Sequence, residues 1–210
     1  MKILLVAATR AEISVILEHF NFPDGNFLES VQFDVLITGV GMTATAFALG
    51  QHLSGKYTLV LNLGIAGCFR REIPLGTILN ISSDEFSELG AEDNTDFLSI
   101  EDLGFGKGTF KAVNDVSVEL LQGLEEVKGI TVNKVHGNQD SIDQVIARLN
   151  PVTESMEGAA VLYCCEQLDI GCLQIRSISN YVTPRNRESW KIGLAISNLN
   201  KWAIAFLTKA

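Results

Sequence analysis

The sequence predicts a three-layer α/β/α fold built on a central mixed, mostly parallel sheet. Apolar runs of strand length alternate with segments of helical spacing along the chain. Those runs are continuous rather than alternating, as in strands covered on both faces. No linker, repeat or low-complexity tract interrupts the 210 residues, so residues 1–210 are expected to form one domain with a substantial core.

The first strand is expected at Ile3–Ala8, feeding a helix over Ala11–Phe20. Val35–Thr38 is a second strand, followed by Gly39-Val-Gly41 and a helix over Thr43–Leu53. Leu59–Leu63 is a third, ending in Gly64-Ile-Ala-Gly67, and Thr77–Ser82 is a fourth. Ser83–Lys107 is acidic, contains glycine and lacks a period, so it is expected to be a long loop and a candidate lid. Lys111–Val113, a helix near Val116–Leu124 and a strand at Ile130–Val135 follow. Ser141–Leu149 has helical spacing, Pro151–Glu154 leads as a strand into a helix over about Glu157–Leu168, and Cys172–Ser177 is a strand. An amphipathic helix over about Ser189–Leu207 closes the chain.

The formal net charge of −9 argues against nucleic acid as a partner, because phosphate backbones need a basic surface. No apolar run approaches the roughly 20 residues that span a bilayer, so no membrane role is expected. Met1–Ala8 is too short for a signal sequence and runs directly into Thr9-Arg-Ala-Glu12; a cytoplasmic protein is expected. Cys68, Cys164, Cys165 and Cys172 contain no C-x-x-C pair and read as reduced, mostly buried thiols. His19, His52 and His136 are scattered without metal-ligand spacing, so neither a metal nor an organic cofactor is expected.

Folds of this class place ligands at the carboxyl ends of their strands, which selects Thr9–Glu12, Gly39–Met42, Gly64–Gly67, Ser155–Glu157 and Ser177–Asn180. Each has a structural alternative. Gly39-Val-Gly-Met-Thr-Ala44 resembles a dinucleotide fingerprint, but it follows the second strand and lacks the acidic residue about 20 positions on. Glu12 stands at capping-box spacing from Thr9, or acts as a general base at the mouth of the first strand. Glu157 suits a helix start, where the dipole favours an acid, or belongs to a site crowded into Ser155-Met-Glu-Gly-Ala-Ala160. Ser177–Asn180 suits turn chemistry, whereas Arg176 inside a strand requires a partner.

Together, Met1-Lys-Ile…Glu12, Val40-Gly-Met, Asn62-Leu-Gly-Ile-Ala-Gly67, Ser155-Met-Glu-Gly and Arg176-Ser-Ile-Ser-Asn180 resemble the nucleoside phosphorylase superfamily. The resemblance is to the branch of bacterial methylthioadenosine/adenosylhomocysteine nucleosidases. Ser179-Asn-Tyr-Val, Pro184-Arg-Asn-Arg187 and Trp190 are similar to the futalosine hydrolase family within it. The resemblance implies a nucleoside phosphorylase-like fold, a homodimer or higher homo-oligomer, and a nucleoside as the small-molecule partner. It implies that Glu157 binds the ribose hydroxyls, that Met156 packs on the sugar, and that Glu12 activates water. It implies further that Asn180 acts on the base, oriented by Arg176 and Ser179, and that the backbone of Gly41, Ile65, Ala66 and Gly67 lies near the substrate.

Two departures from the superfamily pattern bear on the reaction. Phosphorylases carry an arginine and a serine where Asn62 and Ile65 stand, which favours water as nucleophile, although Arg70 and Arg71 nearby keep phosphorolysis open. Adenine-cleaving nucleosidases carry an aspartic acid where Asn180 stands. An asparagine amide suits a 6-oxopurine, so hydrolysis of futalosine to hypoxanthine and dehypoxanthinylfutalosine, a step of menaquinone biosynthesis, is expected. The benzoate of that substrate would meet Arg185 or Arg187, with Trp190 lining its ring pocket; the alternative is a solvated basic loop. The competing functions are an adenine-directed nucleosidase, a purine nucleoside phosphorylase, and a non-catalytic nucleoside-binding module.

Overall fold

The computed structural model describes residues 2–116 and 118–209. β1 (Ile3–Ala7) leads through a 3-10 turn at Arg10–Ile13 into α1 (Ser14–His19); β2 (Phe27–Leu28), β3 (Phe33–Ile37) and α2 (Met42–His52) follow. β4 (Leu59–Cys68), β5 (Ile78–Phe86), β6 (Gly90–Asp93), β7 (Asp96–Ser99), β8 (Thr109–Lys111) and β9 (Glu125–Thr131) come next. The chain ends with α3 (Gln139–Leu149), β10 (Thr153–Ser155), α4 (Gly158–Gln167), β11 (Gly171–Tyr181) and α5 (Ile192–Lys209).

The main sheet runs β10-β9-β5-β11-β4-β1-β3-β2, with β8 added to β5. Parallel pairings join β3 to β1, β1 to β4, β4 to β11, β5 to β9 and β9 to β10. β11–β5, β2–β3 and β5–β8 are antiparallel. β10 also pairs antiparallel with β4, which closes β4, β11, β5, β9 and β10 into a ring of strands.

Alternation along each strand decides the layers. Ile3, Leu5, Val35, Leu61, Leu63 and Ile175 face one core with Ile13, Ile16 and Leu17 near α1 and Leu199, Ala203 and Phe206 of α5. Leu4, Val6, Leu36, Val60 and Cys172 face the other, against Leu49 of α2 and Val161, Leu162 and Cys165 of α4. Truncating one of these leucines to alanine costs about 2–5 kcal/mol, because the cavity left behind fills only in part. All four cysteines are free, and Cys68, Cys165 and Cys172 are buried.

Five sequence expectations need correction. β4 does not stop at Leu63 but continues through Gly64 and Gly67 to Cys68, since β11 pairs with it along that whole length. The glycines that read as loop punctuation are close-approach positions inside a strand. β11 likewise continues past Ser177 to Tyr181. Ser83–Lys107 is not an aperiodic loop: β5 enters it as far as Phe86, and β6 and β7 form a hairpin turned at Asn94, whose φ is +56°. The helix expected near Val116–Leu124 is reduced to a 3-10 turn at Val118–Leu120; Ser117 lies outside the described residues, as does Met1. Its helical spacing came from Val116, Leu120, Leu121 and Leu124, which pack on the first core from an irregular segment. The strand expected at Ile130–Val135 sits earlier, at Glu125–Thr131, and Val135 lies in the connection beyond it.

Candidate active site

A cavity of about 330 Å³ opens at the carboxyl ends of β1, β4, β10 and β11, walled by α5 and the connection after β9. Glu12, Ile65, Ala66, Gly67, Met156, Glu157, Ser179 and Asn180 line it, which brings most of the residues selected from sequence into one place.

Glu12 reaches the cavity from the 3-10 turn after β1. Its capping box with Thr9 forms as the spacing predicts: Thr9 Oγ1 accepts the Glu12 N–H, and Glu12 Oε2 accepts Thr9 N–H at 3.0 Å and Thr9 Oγ1–H at 2.9 Å. The other oxygen, Oε1, accepts the Ile65 N–H at 3.1 Å, so one carboxylate caps a turn and faces the cavity. The two readings of Glu12 are compatible in this geometry.

Glu157 is the N-cap residue of α4 but makes no side-chain cap bond. Its carboxylate crosses instead to the start of α2, where Oε1 accepts the Gly41 N–H at 2.8 Å. Gly41 holds φ +96°, a region that L side chains rarely adopt, so glycine is what lets this N–H point at the carboxylate. Burial pushes the Glu157 carboxyl above the usual carboxylate range, Arg176 and the Gly41 N–H pull it down, and Glu12 adds to the rise.

Arg176 is 2% exposed and does not line the cavity. A Cβ on Gly64 would fall 2.1 Å from Arg176 Nη1, so only glycine admits the guanidinium beneath β4. Nη2 donates to Gln174 Oε1 at 2.9 Å, and Nε has no hydrogen-bond partner among the described residues. No hydrogen bond joins Arg176 to Asn180 among the described residues; the guanidinium belongs to a buried network. In that network Gln174 Oε1 also accepts from Asn62 Nδ2, while Asp84 accepts from Gln174 Nε2 and Thr131 Oγ1. Thr131 Oγ1 in turn accepts the Ala159 N–H at 2.7 Å, fixing the first turn of α4. Asn62 is thus a core residue and not part of the cavity wall.

Ser179 does hold Asn180: its Oγ lies 2.8 Å from Asn180 Oδ1 and 3.2 Å from the Ala66 carbonyl. Asn180 Nδ2 donates to the Tyr181 carbonyl at 3.2 Å, which leaves one amide hydrogen for a ligand. Arg185 and Arg187 are exposed and stand 5.4 and 5.9 Å from the ring centre of Trp190, itself a cavity residue. Arg70 and Arg71 do not line the cavity; Arg71 stands over Tyr181 instead.

His136 and Glu154 also line the cavity and were missed from sequence. Glu154 Oε1 accepts the His136 N–H at 3.0 Å, and Oε2 contacts His136 Nδ1. A carboxylate inside a strand must be paired, and that signal at Glu154 was available; its partner was not.

The chain matches the family described as "Phosphorylase superfamily" over residues 3–208. The chain belongs to the phosphorylase superfamily. A futalosine hydrolase of Streptomyces coelicolor is 32% identical over 191 residues, covering 84% of this chain and 76% of that protein. Among solved superfamily structures, a 5′-methylthioadenosine/S-adenosylhomocysteine nucleosidase from Helicobacter pylori superposes with a TM-score of 0.86 at 17% identity, covering 100% of this chain and 99% of the other. The futalosine hydrolase of Helicobacter pylori gives a TM-score of 0.80 at 16% identity, covering 100% and 98%. The two structures show that the superfamily fold is shared.

Proposed function

We propose that this chain hydrolyses the N-glycosidic bond of futalosine, releasing hypoxanthine and dehypoxanthinylfutalosine in menaquinone biosynthesis. The observation that carries this reading is the convergence of Glu12, Glu157 and Asn180 on one cavity whose described lining contains neither arginine nor lysine. Three carboxylates, Glu12, Glu154 and Glu157, make that wall hostile to an anionic nucleophile and suited to an electron-poor sugar.

Cleavage at C1′ builds positive charge on the ribose. Glu157, with one oxygen held by Gly41, has the other to take the ribose hydroxyls, and these contacts strengthen as the sugar becomes cationic. Glu12 takes the proton of the attacking water, and Met156 packs against the sugar. The remaining Asn180 amide hydrogen meets the 6-oxo edge of the base. Arg185 and Arg187 receive the substrate benzoate beside Trp190. This reading includes a cytoplasmic homodimer, supported by the resemblance and by exposed Val40 and Phe47 near the cavity mouth and on α2.

The test is base release from futalosine, methylthioadenosine and inosine, each with and without phosphate, followed by chromatography. Hypoxanthine from futalosine without added phosphate is the expected result. A requirement for phosphate would make the protein a phosphorylase, and adenine as the preferred product would move it to the methylthioadenosine-cleaving branch.

A further inference from the structure

His136 and Glu154 form an acid–base pair in the cavity that neither sugar binding nor water activation uses. Glu154 is 4% exposed and spends both oxygens on His136, one on the backbone N–H and one on ring Nδ1. Two contacts to one residue fix the ring, and with Nδ1 engaged the nitrogen left for a ligand is Nε2.

The strand register places Glu154 across Gly67 from Asn180, the residue proposed to meet the base, and the bonds to Glu154 bring His136 there. Glu154 is the partner of Gly67 on one side of β4, and Asn180 is the partner of Gly67 on the other. Neighbouring strands lie about 4.8 Å apart, so the Glu154 and Asn180 backbones stand roughly 10 Å from each other on either side of Gly67, and all three residues line the cavity. The sugar end is elsewhere, where Glu12 meets Ile65 and Glu157 meets Gly41.

A departing purine keeps the electron pair of its glycosidic bond and leaves readily only if a proton arrives. Asn180 donates a hydrogen bond there but, as an amide, releases no proton. Glu12 already accepts from Thr9 and Ile65 and is committed to the water. We propose that His136 is a further catalytic residue, its Nε2–H protonating the departing purine, with Glu154 as the positioning residue behind it. This inference rests on the hydrolase reading. As the water oxygen bonds to C1′, the C1′–N9 bond breaks and its electron pair stays on the purine. His136 enters the step as the imidazolium, with Nδ1–H on Glu154; its Nε2 proton moves to a purine ring nitrogen, leaving neutral imidazole, the water proton moves to Glu12, and exchange with solvent then restores both groups.

The test compares wild type with His136→Gln on futalosine and on p-nitrophenyl β-D-riboside, whose leaving group departs as a stable anion. Glutamine keeps a hydrogen-bond donor near Nε2 but carries no transferable proton. On futalosine kcat should fall about 10²- to 10⁴-fold with KM changed less than about threefold. The loss on the nitrophenyl riboside should be at least about thirtyfold smaller. Glu154→Gln should repeat the pattern with a smaller loss, and thermal melts of both variants verify folding. Equal losses on the two substrates, a change in KM alone, or a futalosine kcat within about threefold of wild type would overturn the proposal. If wild type does not cleave the nitrophenyl riboside, the split between kcat and KM on futalosine decides. A wild type that releases no base from futalosine or inosine overturns the hydrolase reading and this inference together, whereas an active wild type with an unaffected His136→Gln overturns this inference alone.

Discussion

The N–H of Gly41 donates to Oε1 of Glu157 at 2.8 Å, joining the starts of α2 and α4 across 116 positions of sequence. This bond engages Oε1 and, on the proposed reading, leaves Oε2 for the sugar. In Glu157→Gln the amide oxygen can still accept from Gly41, so the charge is lost with little change in shape. A fall in kcat of about 10²-fold or more is expected from steady-state kinetics on futalosine. A variant within about threefold of wild type would remove Glu157 from charge stabilisation.

Glu12→Gln separates the two duties of that residue. Glutamine still serves a capping box, so the turn at Arg10–Ile13 should survive and the melting temperature should stay close to wild type. Turnover should be abolished while a non-hydrolysable nucleoside binds with a Kd within about threefold of wild type by calorimetry. Comparable residual turnover would end the assignment of Glu12 as the base.

Asn180→Asp should move substrate preference toward 6-aminopurines. The Tyr181 carbonyl that now accepts from Asn180 Nδ2 would then face a carboxyl oxygen, which favours the protonated acid, a donor. The rate ratio of inosine to adenosine should fall about tenfold or more, in line with about 1–3 kcal/mol for a mismatched buried polar contact. An unchanged ratio would show that Asn180 does not read the base.

Arg185→Ala or Arg187→Ala should raise KM for futalosine but not for inosine, which carries no benzoate. One lost charge-assisted contact at an exposed arginine is worth about a three- to tenfold change. Equal effects on both substrates would assign these side chains to the loop itself.

Asp84 connects the buried network to pH. Burial pushes its carboxyl from the ordinary 3.8 up to about 6, against the pull of Thr131, Arg176 and Gln174. The native state then holds this proton more tightly than the unfolded chain, so its contribution to stability falls as pH rises from about 4 to about 6. Relative to Asp84→Asn, wild type should lose about 2 kcal/mol between pH 4 and pH 7, read from urea denaturation at each pH. A difference independent of pH would mean that Asp84 titrates normally.

Much of this arrangement was legible in the sequence because it is local. The strand runs at Ile3, Leu59 and Cys172, the Thr9–Glu12 spacing and the turn at Gly41 each declare themselves within a few residues. What was not legible depends on partners distant in the chain. Gly64 and Gly67 read as a loop because nothing nearby announces the β11 pairing or the guanidinium of Arg176 beneath Gly64. Arg176 itself had to be paired, but Gln174 on its own strand and Asp84 on another could not be chosen from spacing. His136 and Glu154 stand 18 positions apart on opposite sides of α3, and only the placement of β10 against β9 and β4 unites them.

That placement has a metric consequence. Ile65, whose N–H holds Glu12, and Gly67, flanked by Glu154 and Asn180, sit two residues apart on β4, a rise of roughly 7 Å. β11 pairs with β4 at both Ile65 and Gly67 and β10 joins it at Gly67, so a slip of one residue would turn the side chains over. On the proposed reading, β4 works as a ruler, setting once the distance from the attacked carbon to the far edge of the base. On that reading, substitutions at Asn180, at His136 or along the rim at Arg185–Trp190 change which substrate fits without altering the length of the gauge.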